Sequence, residues 1–398
     1  MLEGIRAIGQ AALARMPFVE ALVQTDLVKQ QEEESRGLVV TLDLRLDPPN
    51  LQVDAQDLEE NTLTEILWVG NAPSNNPQDR LTTGVTNWQN AADPTYLVSQ
   101  AVPNLLDGLP AECELAAKLR VFRDAVYTDL GRKLEVFPDG GGDAQYERYR
   151  WMWDLSKLGI TDLDLVPGEQ RKNAETICSR RGMEFLSGAF LRAYAHSKGK
   201  AKAAVKLVGQ ALQAWVARTL GVKKSQIKIY TLALEGEVLA RHPDYIEYLE
   251  QKLVKEAFEE AAEGVCHLCG THGLVTTDTT RFRLLKFYIT NQPGFASQFR
   301  KNGFFRNYTI CERCYRLLLA GERFVENELR TRLGRSSIYV IPTFHSIEAY
   351  PTADTLENWA CYLKSRLAAS ETLKSWHRFQ RQLERYQRIE KQKASFVL

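Results

Sequence analysis

Four residues of this chain are best equipped for chemistry: Cys266 and Cys269 in VCHLCG, and Cys311 and Cys314 in ICERCY. A Cys-x-x-Cys turn offers two thiolates from one side, and two such turns complete a tetrahedral shell. The chemistry they imply is a structural zinc site, with His267 and His272 as alternative ligands. Four thiolates leave no open position for a substrate, so the pattern argues for a staple rather than a catalyst. Two other readings of the same residues stand: a redox pair in one motif, and unrelated core cysteines. Neither motif has the strand-then-helix setting that a redox pair requires.

Forty-one residues separate Cys269 from Cys311, where paired knuckles are usually about 15–20 apart, so a segment is inserted between them. From Thr279 to Ile310 that insertion contains no Asp or Glu. It carries Arg281, Arg283, Lys286, Arg300, Lys301 and Arg306, interleaved with Phe282, Phe287, Tyr288, Phe295, Phe299, Phe304, Phe305 and Tyr308. Cations contact phosphates, aromatics stack on bases, and Asn291, Asn302 and Asn307 can reach base edges. About half of those aromatics are expected in the core of a small metal module that has little other apolar material. The missing carboxylates have no such packing explanation, and they point to nucleic-acid binding.

No catalytic motif accompanies them. The chain has no HExxH, no GxSxG, no Gly-rich dinucleotide fingerprint and no kinase set, and FPDGGGD at 137–143 lacks the Gly-Lys-Ser/Thr of a phosphate loop. Asp162 and Asp164 read as a solvated edge. The expectation is a binder, not an enzyme, with no catalytic residue.

The elements that must position these residues read as α+β. Apolar spacing predicts a helix over 4–23, LVVTLDLRL at 38–46 alternates as a half-buried strand, and EILWVG at 65–70 is its expected neighbour. NAPSNNPQDR at 71–80 reads as a loop. A helix through Ala204, Val208, Leu212 and Trp215 stops at Gly221, IKIYTLAL at 227–234 reads as a strand, and a helix over 243–262 closes at Gly264. After the second cysteine pair the pattern predicts a helix to about Leu333, a strand over 336–344 ended by Pro342, and forty helical residues to the end.

Charge divides the chain. Residues 1–168 hold 14 Lys+Arg against 27 Asp+Glu, and residues 169–398 hold 37 against 23. Thirteen cations fall in 169–230 with only Glu169, Glu175 and Glu184 for company. This gives four expected regions: an acidic mixed α+β region over 1–168, a basic and mainly helical region over 169–263, a zinc-binding module with its basic, aromatic insertion over 264–316, and a C-terminal strand and helices over 317–398. Opposite signs suit a protein-facing part and a polyanion-facing part, or two solvated surfaces. Charges in the N-terminal segment break any signal-peptide run, and no uncharged run suits a membrane helix. Beyond the two pairs only Cys113, Cys178 and Cys361 remain, isolated from one another, which fits a reducing compartment, so a cytoplasmic location without membrane contact is expected.

The order CHLCG, LKFYITNQPGF, KNGFFRNYTICERCYRLLLAGERFVENEL and YVIPTF resembles the large subunit of the type I-B CRISPR surveillance complex, Cascade, an antiviral defence system. The match is closest over about 245–345. The chain is short for that family, whose members usually carry a further C-terminal helical bundle; a separate small subunit, or the helices at 353–395, would take its place. The resemblance implies a non-enzymatic subunit with Cys266, Cys269, Cys311 and Cys314 on structural zinc. Such a subunit sits at the 5′ end of the guide RNA beside the handle-binding subunit, recognises the protospacer-adjacent motif in target double-stranded DNA, and aids duplex opening and R-loop formation. Its implied partners are the backbone and small subunits and a recruited helicase-nuclease or transposition effector. Base pairing then supplies the long specificity while protein reads a short duplex element. The DNA-reading residues do not transfer by motif. On chemistry, the candidates are Asn75 and Asn76 in the 71–80 loop, and Arg300, Lys301 and Asn302 beside the Asn-Gly turn. The competing reading is a stand-alone zinc-ribbon DNA-binding protein of a transposon or transcription system.

Overall fold

A computed structural model describes residues 1–31, 36–70, 78–85, 88–131, 149–166, 168–285, 294, 296–300, 303–333, 336–344, 352, 354–358, 361, 377, 381 and 394–397. The fold is α+β and divides into two compact units: Leu27–Tyr248, and Met1–Asp26 together with Leu249–Leu398. The boundaries expected at 168, 263 and 316 follow charge and the two cysteine pairs, whereas these units follow packing. The first 26 residues accordingly join the C-terminal half. Among the described residues no helix is long and apolar enough to cross a membrane.

In the 27–248 unit, β1 (Leu38–Leu46) is the expected alternating strand, but its hairpin partner is β2 (Pro49–Asp57). The expected partner at 65–70 is instead the end of helix α2 (Glu60–Glu65) and a turn that buries Trp68. On its other edge β1 pairs in parallel with β6 (Ile227–Leu234). Every residue of β6 is buried, as a strand covered on both faces requires. The short β3 (Thr82–Gly84) and β7 (Glu237–Val238) complete the sheet against β6. A side-chain carbon at Gly84 would lie 2.8 Å from Trp68, so only glycine fits there. The long parallel crossover contains helices α3 (Ala101–Gly108), α4 (Glu114–Val126), α5 (Gly168–Arg181), α6 (Gly188–Ser197) and α7 (Ala201–Leu220), with β4 (Tyr127–Asp129) paired to β5 (Trp151–Trp153). Helix α7 buries Ala204, Val208 and Leu212 and ends at Gly221 in the left-handed conformation, as its spacing predicts.

The other unit is built on α1 (Leu2–Leu13) packed along α10 (Glu312–Glu328). Their backbones approach so closely that a side-chain carbon on Gly9 would sit 1.7 Å from the Leu317 carbonyl oxygen, and one on Gly321 would sit 1.9 Å from that of Ile5. Two glycines inside helices, each costing about 1 kcal/mol in propensity, are retained because the crossing leaves no room for a methyl group. Helix α8 (Pro243–Leu253) is shorter than expected. A 3-10 turn at Lys255–Phe258 follows, then strand β8 (Ala262–Val265), so Gly264 lies within a strand instead of closing a helix. Strand β9 (His272–Thr276) pairs with β8 on one side and with β10 (Ile310–Cys311) on the other, and α9 (Phe304–Asn307) precedes β10. Beyond α10, which ends earlier than expected, come two hairpins: β11 (Arg330–Leu333) with β12 (Ser336–Tyr339), and β13 (Ile341–Phe344) with β14 (Ala394–Val397). Pro342 therefore lies inside a strand; residues 354–358, 361, 377 and 381 are helical as expected, whereas the last described residues, 394–397, form a strand. The initial helix stops at Leu13, well short of residue 23.

Candidate functional site

The β8–β9 hairpin and the start of α10 position the four cysteines. Cys266 and Cys269 occupy the hairpin turn, where the Cys266 amide donates to the Thr271 carbonyl at 2.9 Å and the Gly270 amide donates back to the Cys266 carbonyl at 2.8 Å. Gly270 holds φ +72°, which the turn demands and a side chain would oppose. Cys311 ends β10 and caps α10, which brings Cys314 one turn along onto the same side. Thr309 joins the two knuckles: its hydroxyl donates to the Val265 carbonyl at 2.6 Å, and its amide donates to His267 Nδ1 at 3.2 Å. His267 thus holds the turn in shape and stands outside the sulfur cluster.

All four Sγ atoms lie within 4.8 Å of one another, with Cys269 and Cys311 at 3.6 Å. Metal–sulfur bonds of about 2.3 Å put the sulfurs of a regular tetrahedron about 3.8 Å apart, so the donor set fits a metal ion with little movement. Its electrostatics ask for a cation. Burial and the adjacent Cys266 push the Cys314 thiol far above its ordinary range, and burial raises Cys311. Burial opposes ionisation of Cys269 as well, but hydrogen bonds from Thr271 outweigh it and bring that thiol to about 6. Four neighbouring sulfurs ionise together only when a positive ion holds them.

The insertion behaves differently from its local composition. Of its five described aromatics Phe282, Phe304 and Tyr308 are buried, while Phe287, Tyr288 and Phe295 lie outside the described residues. Arg281 and Arg283 do have carboxylate partners, supplied from distant sequence. Arg281 pairs with Glu256 at 2.7 Å, and Arg283 pairs with Glu326 at 3.1 Å while also bonding Gln24 at 3.1 Å. The amides of Arg283, Leu284 and Leu285 all donate to the carboxylate of Glu322, which is 3% exposed on α10. Burial, reinforced by the nearby Glu326, raises Glu322 to about 7 despite those three bonds. Glu322 is the organising residue that sequence reasoning missed. In LAGERF it looks like any surface helix acid, and only the close pairing of Gly9 with Gly321 beside it hints that this face of α10 is buried.

Arg300 and Arg306 differ from Arg281 and Arg283. Both are exposed, and neither has a carboxylate partner among the described residues. They belong to one small fold-back. Ser297 donates its amide to Asn307 Oδ1 at 3.0 Å, Gly303 donates to the Arg300 carbonyl at 2.8 Å, and a side-chain carbon on Gly303 would lie 2.0 Å from the Ser297 carbonyl oxygen. The Asn307 amide, expected to be free for base edges, therefore has its oxygen committed internally. Within the fold-back Gln298 and Phe299 both adopt positive φ, at 62° and 55°. Each costs about 1 kcal/mol for a residue with a side chain. Lys286, Lys301, Asn302, Asn75 and Asn76 lie outside the described residues.

Against known families, the model of the CRISPR-associated protein TM1802 N-terminal domain matches residues 1–251, and that of the central domain of the same family matches residues 263–398. No curated protein and no solved structure matches the chain.

Proposed function

We propose that this chain, which belongs to the CRISPR-associated TM1802 family, is the non-catalytic large subunit of an RNA-guided DNA-surveillance complex of type I-B. Cys266, Cys269, Cys311 and Cys314 hold a structural zinc ion, whose chemistry is to pin the β8–β9 turn to the start of α10. The insertion carried by that staple meets nucleic acid. The observation that carries this reading is the contrast among its arginines. Arg281 and Arg283 are spent on internal carboxylates, whereas Arg300 and Arg306 are exposed and have no carboxylate partner among the described residues. Unpaired surface cations in an acid-free stretch suit phosphate contact, which positions a protein on nucleic acid without reading sequence. In the complex the subunit recognises the protospacer-adjacent motif, contacts the guide RNA 5′ end, aids duplex opening and recruits the effector.

Purification of the tagged chain from its native cells, with sequencing of the RNA that accompanies it, tests the reading. Short RNAs sharing one constant 5′ handle, together with several co-purifying subunits, are expected. A chain that arrives free of RNA and subunits yet binds duplex DNA overturns the surveillance role in favour of a stand-alone zinc-ribbon protein.

A further inference from the structure

Phe299 is 79% exposed, the most exposed large apolar side chain among the described residues. Its exposure is not that of a loose loop. The backbone at Gln298 and Phe299 is held in the left-handed region by contacts on both sides of the fold-back. The Phe299 amide donates to the Ala296 carbonyl at 3.0 Å, Ser297 is tied to Asn307, and Gly303 admits the Ser297 carbonyl where no other residue could. Ala296 and Phe304 are buried beneath this turn. The fold therefore uses strain to hold an aromatic ring in water, which hydrophobicity alone opposes. Strain of this kind persists where surrounding contacts over-determine it, and it gathers at ligand clamps. The residue next to the ring is Arg300, Arg306 lies on the same fold-back, and both are exposed cations without a carboxylate partner among the described residues.

We infer that Phe299 is a stacking site for an unpaired nucleobase, with Arg300 and Arg306 taking the phosphates on either side of it. Charge selects the occupant: a single strand of nucleic acid offers a flat π-face every nucleotide and an anion beside each one. A paired duplex keeps its faces buried in the stack and does not offer them. The exposed side chains among the described residues of the fold-back are the Phe299 ring, the Arg300 and Arg306 guanidiniums and the Gln298 amide. This deepens the nucleic-acid role proposed above and rests on it, but it is tested separately.

The test uses the full chain and 12-nucleotide strands carrying one 2-aminopurine, as DNA and as RNA. Wild type is expected to bind these strands, with a change in 2-aminopurine emission that reports stacking. Phe299→Ala is expected to weaken strand binding about five- to hundredfold. It should also abolish the emission change and leave binding of a blunt duplex unaltered. The double variant R300A/R306A is expected to lower the slope of log affinity against log salt by about 1.4 on strands, whereas F299A leaves that slope unchanged. Because Phe299 is exposed, its truncation should not unfold the chain, and an unchanged melting transition is the control. If F299A binds strands within twofold of wild type while R300A/R306A does not, stacking is overturned and the nucleic-acid reading survives. Failure of wild type to bind any strand or duplex overturns both. If F299A keeps its strand affinity but no longer co-purifies with companion subunits, the ring belongs to a protein interface instead.

Discussion

The buried carboxylate of Glu322 makes the unit formed by residues 1–26 and 249–398 sensitive to pH, in a direction opposite to that of a surface acid. In the fold Glu322 titrates near 7, against about 4.5 when the chain is open. Below about pH 4.5 both states hold the proton and the contribution is fully present. Between 4.5 and 7 the folded state keeps a proton that the unfolded state releases, so stability falls as pH rises; above 7 it is level. A shift of about 2.5 units at 1.36 kcal/mol per unit amounts to roughly 3 kcal/mol. Glu322→Gln keeps the oxygen that accepts the amides of Leu284 and Leu285 but never ionises. Its stability relative to wild type is therefore expected to rise from under 1 kcal/mol at pH 4.5 to about 3 kcal/mol at pH 7.5. For a unit of this size that is a gain of about 6–12 °C in melting temperature at the higher pH. Glu322→Ala removes the acceptor as well, and each amide left dry costs about 1–3 kcal/mol at every pH. The assay is a series of thermal melts of the three proteins from pH 4.5 to 8; taking differences cancels the loss of thiolate ligation that all three suffer in acid. A difference between Gln and wild type that stays flat, or shrinks as pH rises, would refute the claim that burial dominates at Glu322.

The remaining predictions concern the staple, the helix crossing and the central strand. Elemental analysis should find one zinc per chain, and Cys314→Ala should lose it and render the 262–314 region cleavable by protease; full metal-free resistance would remove the structural role. Gly321→Ala forces α1 away from α10 and is expected to cost at least about 1–3 kcal/mol by overpacking, read as a lowered melting temperature, whereas an unchanged transition would deny the close crossing. Lys228, 2% exposed in β6, donates to the Asn90 carbonyl at 3.0 Å and lies 4.4 Å from the centre of the Trp88 ring. Lys228→Met leaves the Trp88 and Asn90 carbonyls without their donor and should lose about 1–3 kcal/mol, accompanied by a change in tryptophan emission.

What could be read in advance was what is carried by short stretches. A knuckle is four residues long, so both cysteine pairs announced themselves, and their meeting needed only the β8–β9 turn and one turn of α10. The β1 and β6 strands were legible by their alternation and apolar run, and the end of α7 by Gly221. What escaped was decided at long range. The parallel pairing of Val40 with Tyr230 joins residues far apart in sequence, and no local signal distinguishes it from a hairpin with 65–70. Strand β2 begins on Pro49 and is rich in Asn, Gln and Asp, so its Leu51, Val53 and Ala55 alternation was masked by turn-forming neighbours. The arginines illustrate the limit best. An acid-free stretch invites the conclusion that all its cations are free, yet Glu256 and Glu326 reach Arg281 and Arg283 from outside it. A local charge count sees only which partners are absent nearby; three-dimensional packing decides which cations are left. Among the cations described in that stretch it leaves Arg300 and Arg306, on the fold-back that exposes the Phe299 ring, and these are the two on which the proposed nucleic-acid contact rests.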